Sequence, residues 1–570
     1  MQPNLQNWKG SQPVFVIELN WAGLVYYLST EPIETMSNYG LVKYTGGIEE
    51  APSFDQQIKE GFNLDSLFVS VACQIGNVDV SAAILKGRYL ENSEAELSML
   101  LVKNGTVLSY ENRIQLFRGY VSQPVFGHID KSQSYVEFSL ESKVFDASVY
   151  GLLVDSLGRC NSLDASAINS PITSPFSAVL AAFNRIEIFE PHRGKQIPFV
   201  FGVAGRVVDQ SGAVKDFPAS PAYVLSRNAA TNEIFILIAA HPVKDTVVKL
   251  HDNRGNSVLI TGGLGNVEQF IMSNGRIFSY IKYDLDGGYV ANVNTDTSVQ
   301  YWISWREGAY ISPSTDTSLQ CGGDLCLWLL QQGNADIDYH SWESVRSYLN
   351  AYKFAGYIKE SEETPIEFLE KNILPFLPIS VINGNEGLRA VPDLLSSGIP
   401  VIANYEITAN PEFNRVSPVT TLTDPNDIIN SYTLEYARDG SKESYRSVMR
   451  IKPNQVNYTN YTFTTLYSEV SAQRFGEKEL IEDAIYIYDD ATAALVCKDK
   501  IKKLAFPKRE AVYFASSRYG YLDIGDVISL TDESLGITSK KVQITRKTFK
   551  ETNWEYTITI NDHMIQEIEQ

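Results

Sequence analysis

The sequence predicts a mainly β, multidomain protein with a smaller α/β part. The chain contains 32 Tyr and 26 Phe, and these residue types favour strands. Short runs that alternate apolar and polar residues recur at both ends of the chain, as in Val136–Glu141. Apart from one short connector helix, helical spacing occurs in residues 319–399 and in the neighbourhood of 490–505. We therefore expect two tube-like β-barrels, a β-rich insert and a small helical α/β domain.

Length and composition indicate the number of domains and argue against some classes of function. A chain of 570 residues is long enough for three to five domains. The formal net charge of −20 argues against a duplex-DNA binder, which needs a basic surface to displace counterions. The start of the chain lacks the basic and apolar regions of a signal peptide, and no apolar run is long enough to predict a transmembrane helix.

Residues 1–150 are predicted to form the N-terminal barrel. A hairpin is expected around Asn20–Gly23, since Val14–Leu19 and Leu24–Leu28 flank it. Further strands are predicted at Leu67–Ile75, Glu94–Val102, Ile114–Val121 and Val136–Glu141.

Residues 151–191 are predicted to be a connector, with a short helix beginning at Ser174-Pro175. Residues 192–318 form a second β-rich domain in this interpretation. Its hairpins are Val247–Leu250 with Val258–Thr261, and Tyr280–Leu285 with Tyr289–Val293.

Residues 319–399 are predicted to be the small helical α/β domain. The first helix is Leu325–Gln332, which Gly333 ends. The second carries Trp342, Val345, Leu349 and Tyr352 on one face. The third begins at the capping box Thr364–Glu367.

Residues 400–570 are predicted to be the C-terminal barrel, with an inserted helix at 490–505. Either Asp489 or Asp490 can cap that helix, and Ala494, Cys497, Ile501 and Leu504 are its predicted apolar stripe. Strands are expected at Ile428–Glu435, Ala511–Ala515, Asp526–Leu530 and Tyr556–Ile560. Gly525-Asp526 indicates a turn before a strand.

The sequence predicts no catalytic, cofactor-binding or metal-binding residue. The six histidines, His128, His192, His241, His251, His340 and His563, lack metal-binding spacing and are expected to be exposed or satisfied. Five widely spaced cysteines, Cys73, Cys160, Cys321, Cys326 and Cys497, indicate reduced thiols. Cys321 and Cys326 could form half of a metal or iron–sulfur site, but two further ligands are not evident.

Two glycine-containing segments are interpreted as ordinary connections. Asp284–Gly287 starts like a calcium loop but lacks the later ligands, so we expect a hairpin turn. Gly262–Gly265 lacks the third glycine of a dinucleotide site and is predicted to be a loop.

Four segments resemble the tail hub proteins of tailed bacteriophages. The first is Ala83–Tyr89 with Leu116–Val121, and the second is Gly194–Val203. The third is the predicted helix and strand of Thr364–Pro378. The fourth is the predicted helix at 490–505 followed by Pro507-Lys508-Arg509 and Gly525–Asp532. Each motif is short, and the resemblance rests on their order. It extends over nearly the whole chain at low identity.

The resemblance implies a structural function. The sequence carries no complete nucleophile, metal or carboxylate signature with a domain of its own, and we therefore expect no enzymatic activity. A tail hub adapts the distal end of the tail tube to the tail tip and fibres, and its homotrimer surrounds part of the DNA ejection channel. The implied partners are the tail tube protein, distal tail and tip or fibre proteins, the tape measure protein and the host envelope. DNA would pass through without specific binding. The implied location is the distal tail of the virion, after synthesis in the bacterial cytoplasm.

Other functions remain possible from the residues. A tail-associated peptidoglycan hydrolase or peptidase is the main alternative, since the abundant carboxylates could include a catalytic pair. A surface adhesin would need an export signal. If the chain is a hub, we expect acidic residues to outnumber basic ones on the channel wall, although the same charge would also suit an outer solvated surface.

Overall fold

The structure is a computed structural model that describes most of residues 5–560. The longest stretches outside the described residues are 142–197, 285–299, 309–317, 455–461 and 561–570. The predicted connector helix at Ser174 and the segments after Asp284 and at Gly262–Gly265 lie outside them, as do Cys160, His192 and His563.

The first part of the chain is built from strands and one short helix. The strands are β1 (Gln12–Trp21), β2 (Leu24–Ser29), β3 (Ile33–Ser37), β4 (Gly40–Gly46), β5 (Asp55–Gln57), β6 (Phe62–Asn63), β7 (Leu67–Ala72), β8 (Gln74–Ile75), β9 (Val78–Asp79), β10 (Glu94–Lys103), β11 (Thr106–Val107), β12 (Ile114–Asp130) and β13 (Gln133–Glu141); the helix is α1 (Val80–Leu85).

The predicted N-terminal barrel is confirmed. Its strands are hydrogen-bonded in the order β2-β1-β10-β12-β13-β7. The segment after β4 then joins the two ends of this path. Gly47 and Ile48 donate backbone hydrogen bonds to the Ser29 carbonyl of β2 at 3.1 Å each, while Ala72 of β7 donates to the Gly47 carbonyl at 2.8 Å. The β3–β4 hairpin extends beyond this closure.

The middle of the chain contains a β-rich region and a helical region. Its strands are β14 (Phe199–Phe201), β15 (Arg206–Val208), β16 (Val214–Asp216), β17 (Ser220–Asn228), β18 (Glu233–Ala239), β19 (Val247–Asp252), β20 (Ser257–Thr261), β21 (Val267–Ile271), β22 (Ile277–Asp284), β23 (Tyr301–Trp305), β24 (Gly356–Ile358), β25 (Ile379–Gly384) and β26 (Gly387–Pro392). Its helices are α2 (Gly322–Gln332), α3 (Tyr339–Leu349) and α4 (Pro365–Asn372). A seven-stranded sheet has the order β20-β19-β23-β17-β18-β22-β21, and the pairing of β19 with β20 confirms the predicted hairpin.

The last part of the chain returns to β-structure around an α/β insertion. Its strands are β27 (Tyr405–Thr408), β28 (Phe413–Arg415), β29 (Thr420–Thr421), β30 (Ser431–Asp439), β31 (Ser444–Ile451), β32 (Thr462–Phe463), β33 (Glu479–Ala484), β34 (Arg509–Ser516), β35 (Val527–Asp532), β36 (Ile537–Lys550) and β37 (Asn553–Ile560). Its helices are α5 (Leu466–Phe475) and α6 (Asp490–Leu504).

The C-terminal sheet also curls into a barrel. Its order is β27-β35-β36-β37-β34-β28, so β27 and β28 are the two edge strands. A flat sheet of this size would separate them by about 24 Å. The chain nevertheless passes from β27 to β28 through residues 409–412, where Asn410 and Phe413 exchange two backbone hydrogen bonds of 2.9 Å. The two edges must therefore lie side by side.

Buried apolar side chains form two large cores. One core contains side chains of both barrels, from Leu5 to Leu140 and from Ile407 to Ile560. The other contains the middle of the chain together with residues 432–506. Residues 431–506, which fall within the predicted C-terminal unit, thus form an insertion with the four-stranded order β32-β31-β30-β33. This insertion is larger than the single helix that the sequence indicated.

The helix predictions agree with the structure in part. Helix α3 ends at Leu349, so Tyr352 lies beyond it, and the predicted cap Thr364 lies outside the described residues. The side chain of Asp489 caps α6 by accepting from the Thr492 amide at 2.9 Å, and α2 ends at Gly333 as expected. The buried face of α6 is Ala493, Val496, Cys497 and Ile501. Ala494 and Leu504 are only partly buried, so the predicted stripe is rotated relative to the observed one, because α6 packs against β30 and β31.

Close packing at Gly440 provides a test of the second core. A Cβ atom at this position would lie 2.1 Å from the Ala219 carbonyl oxygen. We expect Gly440→Ala to destabilise the contact between the insertion and the β17 region by about 1–3 kcal/mol, because the backbones must separate. Hydrogen exchange of peptides from β17 and β30 should accelerate, while the barrel peptides keep their protection.

A matched control is Gly46→Ala. Its added Cβ would meet only the Pro32 ring at 3.5 Å, an ordinary contact distance. Unchanged exchange in Gly440→Ala would contradict the described packing.

Candidate functional site: the joint between the two barrels

A short strand from the N-terminal part of the chain completes the C-terminal barrel. Strand β5 pairs antiparallel with β36, with Gln56 opposite Lys547. Further backbone hydrogen bonds extend the pairing on both sides, from Phe549 to the Phe54 carbonyl at 3.1 Å and from Ile58 to the Thr545 carbonyl at 2.8 Å. The two barrels are therefore connected by main-chain hydrogen bonds as well as by side chains.

An aromatic cluster fills the space between the barrels. Phe54 meets Trp554 edge to face at 5.5 Å, and Phe549 meets Trp554 at 4.8 Å. Phe15 of β1 meets Phe549 edge to face at 4.9 Å. Each such pair contributes about 0.5–1.5 kcal/mol beyond the burial of its area. We call Phe15, Phe54, Phe549 and Trp554 the joint cluster.

Lys547 is fully buried beside the joint cluster. Its ammonium group donates to the Gly520 carbonyl at 3.1 Å and lies 4.8 Å from the centre of the Trp554 ring. The nearest carboxylate oxygen belongs to Asp523, at 3.9 Å. Burial lowers the pKa of Lys547, and the charges of Asp523 and Asp526 oppose this effect. Burial likewise raises the pKa of Asp523.

The exposed ion pair across the joint contributes little in comparison. Arg546 donates two hydrogen bonds to Asp55, at 2.7 and 2.6 Å, and these lower the pKa of the carboxyl. Both side chains are about half exposed, and such pairs are worth at most about 1 kcal/mol. The pair helps to fix the register of β5, whereas the buried cluster provides the stability.

The Gly525-Asp526 turn connects the C-terminal barrel to the helical domain. Gly525 has a φ of +82°, and a Cβ there would lie 2.5 Å from the Val391 side chain. Asp526 accepts a hydrogen bond from Arg389 of β26 at 2.8 Å. The motif that the sequence indicated only as a turn is thus a packed contact between two units.

The two barrel walls differ in their charges. Strands β1, β10 and β13 carry carboxylates that are only partly covered: Glu18, Glu94, Glu96 and Glu141. Arg118 pairs with Glu94, and Arg113 with Glu96. Strand β36 instead exposes Lys541, Arg546 and Lys550. Strand β36 is therefore more basic than strands β1, β10 and β13.

The described residues contain no cluster of three or more side chains suited to a metal ion. Burial raises the pKa of the Cys326 thiol and of the half-buried Cys321, which disfavours the thiolate form that metals bind. In the same described part of the chain, no helix is long and apolar enough to cross a membrane.

His241 is a satisfied core residue, as predicted. Its Nε2 accepts from the Val200 amide at 3.0 Å, so the ring proton resides on Nδ1, which donates to the Pro242 carbonyl at 2.8 Å. His251 is also buried, and burial lowers its pKa to about 4. His340 is exposed.

Comparison with known proteins gives structural similarities only. No family model matches the chain, and no curated protein matches it. Among solved structures, the chain is similar to the 43 kDa tail protein of prophage MuSo2 from Shewanella oneidensis, with 9% identity, a TM-score of 0.32 and coverage of 96% of this chain and 98% of that one. It is also similar to a prophage tail protein from Listeria monocytogenes, with 10% identity, a TM-score of 0.30 and coverage of 98% and 97%.

A third similarity is to a chain of the virion of a native gene transfer agent particle. The identity is 9%, the TM-score is 0.39, and the match covers 66% of this chain and 87% of that one. TM-scores below 0.5 do not by themselves establish a common fold.

The joint was not predicted from the sequence. Strand β5 is the polar tripeptide Asp55-Gln56-Gln57, which has no apolar alternation to mark it as a strand. Lys547 lies within a strand where a lysine ordinarily indicates a solvent-facing position. Phe54 and Trp554 were the available signals, because large aromatic residues beside strands usually belong to a core.

The joint gives a prediction about stability. Phe54 is buried, whereas its neighbour Asp55 is exposed. We expect Phe54→Ala to lower the free energy of unfolding of the barrel unit by about 3–5 kcal/mol, because it leaves a cavity beside Trp554. The matched variant Asp55→Asn should lower it by less than about 1 kcal/mol. Chemical denaturation followed by tryptophan fluorescence measures both, and equal losses would contradict the assignment of stability to the cluster.

Burial of Lys547 gives a prediction about pH. Because its pKa is lowered in the folded protein, the unfolded chain binds more protons between that lowered value and the ordinary lysine value of 10.5. The free energy of unfolding contributed by Lys547 should therefore rise with pH through this window, by at most about 1.4 kcal/mol per unit.

The measurement compares denaturation of the native chain and of Lys547→Met from neutral pH up to the ordinary lysine value of 10.5. As the pH rises, the free energy of unfolding of the native chain should increase relative to that of Lys547→Met. The control is Lys541→Met, which replaces an exposed lysine of the same strand. Its free energy of unfolding should change with pH as that of the native chain does. A difference that is constant across this range would contradict the burial of Lys547.

Proposed function

We propose that the chain is a structural protein of a phage tail, and that it serves as the tail hub. The observation that carries this proposal is the pair of barrels held together by one core and by strand β5. The order of the hub-like motifs supports the same function, because they lie in both barrels, in the β-rich region and in the helical domain.

The paired barrels suggest how the chain would fit a tail tube. Three copies with two barrels each present six similar units around a closed ring, which matches a tube built from sixfold rings. Closed symmetry also avoids an open-ended polymer. The proposed partners are two further copies of this chain, the tail tube protein, distal tail and tip or fibre proteins, and the tape measure protein.

In this proposal the trimer surrounds a channel through which DNA leaves the virion. Basic walls would bind the duplex by releasing counterions, whereas acidic walls would let it slide. The carboxylates of β1, β10 and β13 suit such a wall. Repulsion would act only near that wall, because the Debye length is about 8 Å at physiological salt.

Cryo-electron microscopy of intact virions tests this function. We expect an antibody against the chain to label the distal end of the tail, and reconstruction of that end to show three copies. Six copies, one copy or a location elsewhere in the virion would contradict the proposal. A channel wall lined mainly by Lys and Arg would contradict the proposed passage of DNA.

We propose no enzymatic activity for the chain. The alternative of a peptidoglycan hydrolase or peptidase is tested by a zymogram with purified protein and bacterial cell wall. Clearing that one point substitution abolishes would establish the alternative and overturn the purely structural function.

A further inference from the structure

A pocket lies where the C-terminal barrel meets the helical domain. Its volume is about 460 Å³, and it is bordered by helix α3, strand β26, residues 402–405 and the turn 521–527. Pockets for small organic ligands typically have volumes of about 300–1,000 Å³ and often occur between domains. The pocket lies outside the joint cluster and has no part in the proposed assembly of the tail.

Charged groups at the floor of the pocket are held in fixed positions. Arg389 donates to Asp526 at 2.8 Å, and the other Asp526 oxygen accepts from the Asp523 amide at 2.9 Å. Burial opposes the charge of Arg389, but the attraction of Asp526 and Asp523 outweighs it and raises the pKa of the guanidinium. These groups can therefore contact a ligand without reorganising.

The charges at the floor nearly balance. Arg389 faces both carboxylates, since its guanidinium also lies 4.0 Å from Asp523. The ammonium group of Lys547 lies 3.9 Å from Asp523. The carboxylate of Asp338 caps helix α3 by accepting from the Ser341 amide, where the helix dipole compensates its charge. The floor thus has little net attraction for either an anion or a cation, but it offers both hydrogen-bond donors and acceptors.

One wall of the pocket is aromatic. The rings of Tyr405 and Tyr521 meet edge to face with their centres 5.2 Å apart. Burial raises the pKa of Tyr405 to about 12 and also raises that of Tyr521, so both phenols are protonated donors at neutral pH. In the described part of the chain, neither hydroxyl has a protein hydrogen-bond partner.

We infer that this pocket binds a neutral, hydroxyl-rich ligand of the size of a short saccharide. A sugar ring has an apolar face that packs on aromatic rings such as Tyr405 and Tyr521. Its hydroxyl groups both donate and accept, which matches the carboxylates of Asp523 and Asp526 and the donors of Arg389 and the phenols. A phosphate-bearing ligand would instead lie against two carboxylates.

Saturation-transfer difference NMR with the full chain tests this inference. The probes are maltotriose, cellotriose and triacetylchitotriose, with inorganic phosphate as the anionic comparison. We expect at least one trisaccharide to receive saturation and to bind in competition titrations. Tyr521→Ala should weaken that binding at least tenfold, and Tyr405→Phe, which removes only a hydroxyl, should weaken it severalfold without altering the fold.

The control is Tyr39→Ala, which removes a fully exposed ring from the β3–β4 hairpin and should leave the binding unchanged. The inference is overturned if no trisaccharide binds, if phosphate binds in their place, or if both pocket variants bind as the native chain does. None of these outcomes bears on the number of copies or the location of the chain in a virion.

Discussion

The edge-to-face contact between Phe54 and Trp554 is the interaction on which the arrangement of this protein depends. Phe54 immediately precedes strand β5, and Trp554 lies on β37 of the C-terminal barrel. Residues separated by about five hundred positions in the chain thus share one core. Because β5 also supplies main-chain hydrogen bonds to β36, the two barrels cannot separate without breaking both a sheet and a packed cluster. The cost of that separation makes the pair of barrels a single structural unit.

The rest of the structure is compatible with this constraint. The chain leaves the first barrel, builds the middle domains and returns to form the second barrel. Strand β6, the next strand after β5, pairs with β25 of the helical domain. The contact of Arg389 with Asp526 lies on the same side of the C-terminal barrel. The helical domain is therefore held to the barrel by a strand and by a buried ion pair, and the pocket lies beside this contact.

Much of the local structure could be predicted from the sequence, because it depends on neighbouring residues. Tyr556, Ile558 and Ile560 alternate in the buried face of β37, and Asp489 caps α6. The joint could not be predicted, because its partners are distant in the chain and β5 has no periodic pattern. The packing of residues 431–506 into the second core could not be predicted for a similar reason, because periodicity identifies a buried face but not the element that covers it. The burial of Lys547 could not be predicted for a different reason, because a buried lysine requires partners that only the fold brings together.

The rigidity of the paired barrels is the central claim, and a distance measurement between them tests it most directly. Spin labels on Leu24→Cys in β2 and Thr420→Cys in β29 would report the separation, with Cys160 and Cys321 replaced by serine and the buried cysteines retained. Both label sites are exposed. A single narrow distribution, broadened by Phe54→Ala, is the predicted result. A broad distribution in the protein with an intact Phe54 would show that the barrels move independently and would contradict the account.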